Sequence, residues 1–568
     1  MSKSPAEMMQ DWMSMWMSTV RDAGNFQLPA GTERMTPAQA DFIAAQAALW
    51  QRAMAGGVQR ADAGPADRRF ASASWREHPY YSYLMESYLL TARHVEALTE
   101  AAPVEGQEKD RLRFAARQWV DALCPANFAS TNPEVIHKAI ESRGDSITRG
   151  VANLVADVAK GRISQTDEAA FELGRDLATT PGHVVFENQL MQLIQYRPLT
   201  ASIAKRPLVI VPPCINKFYI LDLQPENSFV RHALQAGQAV FMVSWKNPGA
   251  AEAQLGWDDY LQDGVIAALE AARAIAGADR VNALGFCVGG TLLGASIALL
   301  AGRGEVLPAS VTYLAAMHDF ADTGEISLFV DPASVAAREA AIGAGGLLTA
   351  NELGGVFSAL RANDLVWPYV VNNYLMGERP AAFDLLHWNS DGTNLPGPMY
   401  CYYLRNMYLE NRLKEPGALS AGGGPLDLSA VSVPTYILAT REDHIVPWRT
   451  AYRSLRTFGG DNKVFVLGAS GHVAGIVNPP AKGRRSYWTG AGAAGYPLDP
   501  DAWLSGAREE KGSWWPHWSA WLDQHSGGQR KAPARAGKGK YKVIEPAPGR
   551  YVKEKAPGNL PGITAPAG

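Results

Sequence analysis

The stretch that decides the fold is residues 281–300, VNALGFCVGGTLLGASIALL. A β-branched and apolar run at 281–284 leads into a glycine-rich box, and the apolar segment 291–300 after the box predicts a helix. A Gly-x-Cys-x-Gly box between a strand and a helix is typical of a nucleophile elbow. The glycines permit a sharp turn, and the helix N-terminus favours a thiolate at Cys287. The alternative is a buried structural cysteine among packing glycines.

Short β-branched runs recur on both sides of this box, each followed by turn residues and a helix-like segment. This alternation predicts a parallel sheet built from βαβ units. Together with the elbow it predicts an α/β protein with an α/β-hydrolase core. The predicted strands are residues 184–186, 208–211, 239–243, 281–284, 310–314, 435–439 and 463–467.

The chain has 568 residues, too many for one ordinary core, so we expect more than one domain. Residues 1–180 show helical apolar spacing and predict a mainly helical N-terminal domain, followed by a catalytic domain at 181–528. The long gap before the strand at 435–439 predicts a large cap, or lid, inserted at about 320–425. Residues 529–568 are dense in Pro, Gly, Ala and Lys and predict an extended C-terminal tail.

One apolar face near the N-terminus has the spacing of an amphipathic helix. It packs on its own domain or docks on a hydrophobic particle or another protein, and the sequence leaves both open. The region lacks the features of a signal peptide, and no apolar run is long enough to span a membrane. The residues of this face are Met9, Trp12, Met13, Trp16, Met17 and Val20.

Charge and cysteine content exclude several classes of protein. With a net charge of −3, the chain lacks the excess of positive charge that is typical of proteins binding nucleic acid or an anionic membrane. The four cysteines form no Cys-x-x-Cys pair, which argues against a disulfide framework and a zinc site. We therefore expect a cytoplasmic protein without a metal.

A thiol nucleophile needs a base, and the base needs an orienting acid, in the chain order nucleophile, acid, histidine. After the strand at 435–439 comes Asp443, at the strand end where active sites of such sheets collect. Its neighbours Glu442 and His444 are alternatives to it. After the last predicted strand, the loop Gly-Ala-Ser-Gly presents His472, the predicted base.

Acyl transfer also needs two backbone N–H groups that stabilise an oxyanion. One is expected from Val288, the residue after the nucleophile. The second is expected from Ile215 in the loop after the strand at 208–211, where the prolines fix the backbone but donate no hydrogen bond. Cys214 beside it lacks a base and a glycine elbow and is predicted to be a packing residue.

With these pieces in place, the chain resembles the class I polyhydroxyalkanoate synthases, also called poly(3-hydroxybutyrate) polymerases. The resemblance covers most of the length, and its Gly-x-Cys-x-Gly-Gly box is intact. The segments that carry it include PPCINKFYILDLQPENSFVRH, VSWKNP, GFCVGG, HDFADTG, NDLVWPYVVNNYL, WNSDGTNLPGPMYCYYLRN, REDHIVPW, LGASGHVAGIVNPP and GSWWPHW, in the same order.

The resemblance implies polymerisation of (R)-3-hydroxyacyl-CoA, with release of CoA, into polyester granules in the cytoplasm. It implies that Cys287 carries the acyl chain, that His472 is the general base, and that Asp443 assists the substrate hydroxyl or orients His472. It implies short monomers such as 3-hydroxybutyryl-CoA, a homodimer, possible granule-associated partners and no cofactor, because CoA belongs to the substrate. The CoA phosphates call for a basic element, for which Lys482, Arg484 and Arg485 are candidates, although a solvated cluster is an equal alternative.

Two other functions compete with this interpretation. A cysteine hydrolase of the dienelactone hydrolase type uses the same box and chain order but is much smaller. A catalytically silent granule-coat protein could keep the fold, but the intact Cys287, Asp443 and His472 set argues against it.

Overall fold

The structure, a computed structural model, describes residues 37–54, 67–490 and 495–556. The predicted amphipathic face at residues 9–20 lies outside the described residues. The chain divides into two compact units. The N-terminal unit contains the described residues up to Glu168 together with Gly354–Ala382, and the sheet unit contains Ala169–Leu353 and the described residues from 383 to 556.

The N-terminal unit is helical where it is described. Its small core surrounds Trp75, which is fully buried and packs edge-on against Phe70 at a centroid distance of 4.9 Å. The longest helix, Pro79–Ala101, begins with proline at its first position, where a missing N–H costs no hydrogen bond. The other helices are Pro37–Met54, Ser74–Glu77, Gly106–Ala122, Pro133–Glu141 and Asp145–Lys160.

Residues 354–382 fall inside the predicted cap insertion but cluster with the N-terminal unit. They contain the helical segments Ala362–Leu365, Trp367–Tyr369 and Val370–Leu375. A Cβ on Gly150 would lie 1.9 Å from the carbonyl oxygen of Tyr374, so only glycine permits this contact. Local sequence patterns cannot predict this contact, because the two contacting segments are far apart in the chain.

Eleven strands of the described residues form the main sheet of the sheet unit. In chain order they are β1 Gly182–Glu187, β2 Met191–Tyr196, β3 Leu208–Val211, β4 Val240–Trp245, β5 Val281–Phe286, β6 Pro308–Leu314, β7 Thr435–Thr440, β8 Lys463–Gly468, β9 Ser486–Thr489, β10 Arg508–Lys511 and β11 Glu545–Pro546. Their order across the sheet is β10-β9-β8-β7-β6-β5-β3-β4-β2-β1-β11.

The centre of this sheet, from β8 to β4, is parallel, and antiparallel strands extend it on both sides. Strands β3, β5, β6 and β7 are buried at every position, as expected where helices cover both faces of a parallel sheet. All seven predicted strands are present, and the predicted α/β class is confirmed. Strands β2, β9, β10 and β11 were not predicted; β9, β10 and β11 have four residues or fewer, whereas β2 has six buried residues and lies between β4 and β1.

Most helices of the sheet unit connect its parallel strands or belong to the predicted cap, whereas Pro500–Gly506 lies between β9 and β10 and Trp515–Asp523 follows β10. The helix after β5 is Val288–Gly302, called here the nucleophile helix; it begins three residues before the predicted segment 291–300. The others are Phe229–Gln235, Trp257–Asp259, Ala267–Ala276, Pro332–Arg338, Asp384–Ser390, Gly397–Tyr403, Trp448–Arg453, Pro500–Gly506 and Trp515–Asp523, and Ala350–Leu360 crosses the boundary between the units. No helix of the described ranges is long and apolar enough to cross a membrane.

The segment predicted as an extended tail packs onto the sheet unit as far as residue 556. Gln529–Lys531 pairs with Ser202–Ala204, and β11 pairs with β1 at the edge of the main sheet. Tyr551 and Val552 are buried. Composition does not indicate this packing, because strand pairing uses backbone groups and requires few apolar side chains.

Candidate active site

Cys287 sits on a strained turn between β5 and the nucleophile helix. Its backbone has φ 53° and ψ −130°, a conformation that non-glycine residues rarely adopt. Two hydrogen bonds hold the turn: the Cys287 N–H donates to the Leu314 carbonyl at 2.9 Å, and the Gly290 N–H donates to the Cys287 carbonyl at 2.8 Å. Such strain, of about 1–3 kcal/mol, is typical of functional sites and places the thiol beyond the end of the strand.

The glycines of the box are required by close backbone contacts. A Cβ on Gly285 would lie 2.5 Å from the Cα of Gly290, where strand and helix meet. A Cβ on Gly289 would lie 2.4 Å from the carbonyl oxygen of Val211 and 2.5 Å from that of Pro212. The elbow therefore packs directly against the loop that follows β3.

His472 lies in the loop after β8, as predicted, and its imidazole is bonded to Asp443. The His472 Nδ1 atom is 2.7 Å from the Asp443 Oδ2 atom, and both side chains are buried. Because a carboxylate accepts, Nδ1 carries the proton and Nε2 remains available to the thiol. The ring of His472 stacks at 5.4 Å on that of Phe286, the residue before the nucleophile.

The Asp443 carboxylate is held by four hydrogen bonds. Besides His472, the Thr440 hydroxyl donates to Oδ2 at 3.1 Å, and the amides of Ile445 and Val446 donate to Oδ1 at 2.9 and 2.8 Å. Of the alternatives at this loop, Glu442 is exposed. The structure therefore brings Asp443, and not Glu442, to the predicted base.

The electrostatic environment of His472 favours its protonated form. Burial lowers the pKa of His472, but electrostatic interactions with Asp443 and Cys287 raise it, as do hydrogen bonds to both residues. The net result is a pKa well above the usual value of 6.5. A histidine whose pKa is raised in this way holds a proton strongly, which suits a base that takes the proton of a neighbouring thiol.

The two predicted oxyanion donors lie on the elements expected of them. Val288 is the first residue of the nucleophile helix, so its N–H has no acceptor within the helix. Ile215 belongs to residues 212–217, called here the oxyanion loop. The first residue of this loop, Pro212, has one of the two carbonyls that lie against Gly289. Cys214 of this loop is buried. Burial is the main cause that raises the pKa of its thiol, and the nearby Cys287 acts in the same direction, as expected for a packed thiol close to the nucleophile.

Two cap tyrosines contribute to the surroundings of the thiol, and the sequence did not single them out. Burial raises the pKa of Tyr408 and of Tyr403, and the Cys287 charge acts in the same direction on both. Their rings lie 5.4 Å apart, and both pack against Phe320. The abundance of aromatic residues in the predicted cap was the only signal for them.

His318 is a buried residue next to the elbow that sequence reasoning also missed. Its ring is fully buried between Tyr313 and Phe458, and its Nε2 atom lies 3.1 Å from the carbonyl oxygen of Gly290. Burial lowers the pKa of His318 to about 4, so the ring is neutral and donates through Nε2. Its hydrogen bond to the Gly290 carbonyl stabilises the first turn of the nucleophile helix.

The three predicted phosphate-binding residues follow His472 on one exposed segment. Lys482, Arg484 and Arg485 are all exposed. The Arg485 guanidinium donates a hydrogen bond to the carbonyl of Ala474, which ties this segment to the histidine loop.

Two family models match the chain. One, described as the N-terminus of poly-beta-hydroxybutyrate polymerase, matches residues 66–233, and the other, the alpha/beta hydrolase fold, matches residues 207–479. The second match includes Cys287, Asp443 and His472 and confirms the predicted fold.

Similar proteins of known name cover most of the chain. A poly(3-hydroxyalkanoate) polymerase subunit from Cupriavidus necator is 54% identical over 90% of this chain and 86% of its own. The corresponding subunit from Rhizobium meliloti is 39% identical over 92% and 86%, and a poly(3-hydroxyalkanoate) polymerase from Ectopseudomonas oleovorans is 38% identical over 86% and 87%. Among solved structures, a monoacylglycerol lipase from Paleococcus ferrophilus covers 58% of this chain and 99% of its own at 14% identity, with a TM-score of 0.33.

Proposed function

Because the chain belongs to the poly(3-hydroxyalkanoate) polymerase family, we propose that it polymerises (R)-3-hydroxyacyl-CoA into polyhydroxyalkanoate with release of CoA. The observation that carries the proposal is the buried 2.7 Å hydrogen bond between His472 and Asp443 beside the Cys287 elbow. This arrangement can hold an acyl group on a thiol and pass it to another nucleophile.

In the first step, Nε2 of His472 takes the Cys287 proton and the thiolate attacks the thioester carbonyl. The amides of Val288 and Ile215 stabilise the resulting oxyanion. The C–S bond to CoA breaks, the CoA thiolate takes the proton from His472, and the acyl group remains on Cys287. Thiol replaces thiol at the same carbonyl, so the step changes the bond energies little.

In the second step, His472 removes the proton from the 3-hydroxyl of an acyl unit, and the alkoxide attacks the thioester carbonyl on Cys287. An ester bond forms, the C–S bond to Cys287 breaks, and the thiolate is regenerated. Asp443 supports this step by orienting His472, since both its carboxylate oxygens already accept hydrogen bonds. The half-buried Tyr403 and Tyr408 limit the access of water to the thioester.

The monomer, the oligomeric state and the cellular location are proposed from the resemblance to the family. We propose a short monomer such as 3-hydroxybutyryl-CoA, a homodimer, and association with the surface of cytoplasmic polyester granules. Lys482, Arg484 and Arg485 are candidates for contacts with the CoA phosphates, because they are exposed and follow the base in the chain. The proposed reaction uses no cofactor, since CoA is part of the substrate.

The test is incubation with (R)-3-hydroxyacyl-CoAs of defined length, with CoA release and product size measured together. We expect CoA and a high-mass polyester from 3-hydroxybutyryl-CoA, and neither from the Cys287→Ala variant. Free 3-hydroxy acid without polymer would instead identify a hydrolase. Full polymer synthesis by Cys287→Ala would overturn the assignment of the nucleophile.

A further inference from the structure

A buried charged network lies behind the oxyanion loop. Lys217 ends this loop and is only 3% exposed, and Asp391 of the cap is only 4% exposed. Charged side chains this deeply buried are costly unless charges and hydrogen bonds compensate them. Burial lowers the pKa of Lys217, and the charge of Asp391 acts in the opposite direction.

The oxyanion loop is attached to the cap by its backbone. Asn216 forms a β-bridge with Gly392, and the Thr393 N–H donates to the Ile215 carbonyl at 3.3 Å. The indole N–H of Trp388 donates to the Lys217 carbonyl at 2.7 Å. The peptide unit that follows Ile215, and the end of the loop, are therefore fixed by residues 388–393.

The carboxylate of Asp391 makes two contacts that hold residues 388–393 in place. Its Oδ2 accepts a hydrogen bond from the Tyr219 hydroxyl at 2.9 Å, and Tyr219 is fully buried just after the oxyanion loop. Its Oδ1 lies 3.2 Å from Nζ of Lys555. Because the Asp391 side chain is buried, these partners replace most of the water that would otherwise solvate its carboxylate.

The partners of the network come in part from the C-terminal strap, defined as residues 551–556. The Lys217 ammonium donates to the Glu554 carbonyl at 2.7 Å, and Lys555 is the cation at Asp391. The strap is anchored by Tyr551, whose hydroxyl donates to the Asn188 carbonyl at 2.9 Å. The strap thus contributes one carbonyl acceptor, to Lys217, and one cation, to Asp391.

We propose that Lys217 and Asp391, closed over by the C-terminal strap, are positioning residues that hold the Ile215 amide in place for acyl transfer to Cys287. This inference rests on the proposed function and adds residues that the reaction itself does not touch. The amide must lie within hydrogen-bond distance of the developing oxyanion, and small displacements of such a donor strongly reduce the rate. Neither Lys217 nor Asp391 exchanges a proton with the substrate in this role.

The experiment compares two reactions of the same thiol in the full-length protein. Release of CoA from 3-hydroxybutyryl-CoA in a single turnover requires the oxyanion donors, whereas alkylation of Cys287 by iodoacetamide requires only the thiolate. For Lys217→Met we expect CoA release to slow by about tenfold to hundredfold with little change in KM. The alkylation rate of the Cys287 peptide, measured by mass spectrometry, is expected to stay within about twofold.

A milder pair of variants tests the strap if Lys217→Met does not fold. Lys555→Met removes the cation at Asp391, and Lys553→Met removes an exposed cation of the same strap for which the described residues show no ion pair. We expect Lys555→Met to slow CoA release several-fold and Lys553→Met to leave it unchanged. Equal effects of the two variants would overturn the inference.

Other outcomes separate this inference from the proposed function. If Lys217→Met released CoA at the normal rate, or lost CoA release and alkylation equally, the positioning role would be overturned. The proposed function would still stand as long as the wild-type protein made polymer. If the wild type released CoA but made no polymer, the proposed function would fail, and selective loss of acyl transfer in Lys217→Met would still support the positioning role.

Discussion

The Nδ1 atom of His472 lies 2.7 Å from the Oδ2 atom of Asp443, and the Asp443 side chain has no solvent exposure. The two residues belong to loops after neighbouring parallel strands, β8 and β7. This pair fixes the tautomer of the histidine that faces Cys287 and raises its pKa.

Replacing His472 by Gln should remove most thiolate formation at Cys287. The imidazole is the group that takes the thiol proton, and glutamine cannot hold it. We expect the rate of Cys287 alkylation near pH 7 to fall about tenfold or more. His232→Gln is the matched control, since His232 is a half-buried histidine bonded to Ser519. Unchanged alkylation in His472→Gln would exclude His472 as the base.

Replacing Asp443 by Asn should impair catalysis without removing the thiol or the imidazole. The amide group would face Nδ1 of His472, disfavour the required tautomer and remove a charge that raises the pKa of His472. We expect polymerisation to slow by about 10³–10⁴-fold, as for acid-to-amide changes in catalytic triads. An NMR titration of labelled histidine should place the His472 pKa lower than in the wild type. The exposed Glu442→Gln serves as control, and a similar loss there would contradict the choice of Asp443.

Replacing Gly289 by Ala should displace the oxyanion loop from the elbow. The new methyl group would lie 2.4 Å from the Val211 carbonyl oxygen, and a backbone atom cannot move as a side-chain end can. We expect a loss of about 1–3 kcal/mol in the free energy of unfolding, measured by urea denaturation, and a marked loss of CoA release. Gly302→Ala on the same helix is the control, since its methyl group would meet the Pro425 carbonyl oxygen at an ordinary 3.5 Å. Equal stability of the two variants would refute the close contact.

His318 should make the protein less stable in mild acid. Its pKa is about 4 in the folded state, against 6.5 when unperturbed, so between these values the unfolded chain binds more protons. Stability is therefore complete above about pH 6.5 and falls as the pH drops toward 4, by about 3 kcal/mol in total from this residue.

The His318→Gln variant tests this pH dependence. Glutamine can still donate to the Gly290 carbonyl but cannot be protonated, so the acid-side loss of stability should be smaller than in the wild type. The buried Asp222, whose pKa is raised to about 6 by burial, acts in the opposite direction in both proteins and cancels in the difference. Urea midpoints at several pH values measure the effect, and parallel curves for the two proteins would contradict the prediction.

The sequence predicted the strands of the sheet centre and the elbow because these depend on local patterns. An apolar run, a turn with glycines and a following helix occupy one continuous stretch around Cys287. Asp443 and His472 were found because each follows directly on such a strand, and the structure places their side chains in contact. Their catalytic roles remain predictions.

Only the tertiary structure determined the contacts between segments that are far apart in the chain. His318 reaches Gly290, Asp391 reaches Tyr219, and Lys217 reaches Glu554. Residues 354–382, within the predicted cap, cluster with the N-terminal unit, and the C-terminal segment 529–556 packs on the sheet. Periodicity and turn residues report only which side of its own element a side chain occupies. Which distant group satisfies a buried charge or polar atom is settled when the elements pack, and that information is absent from any local pattern.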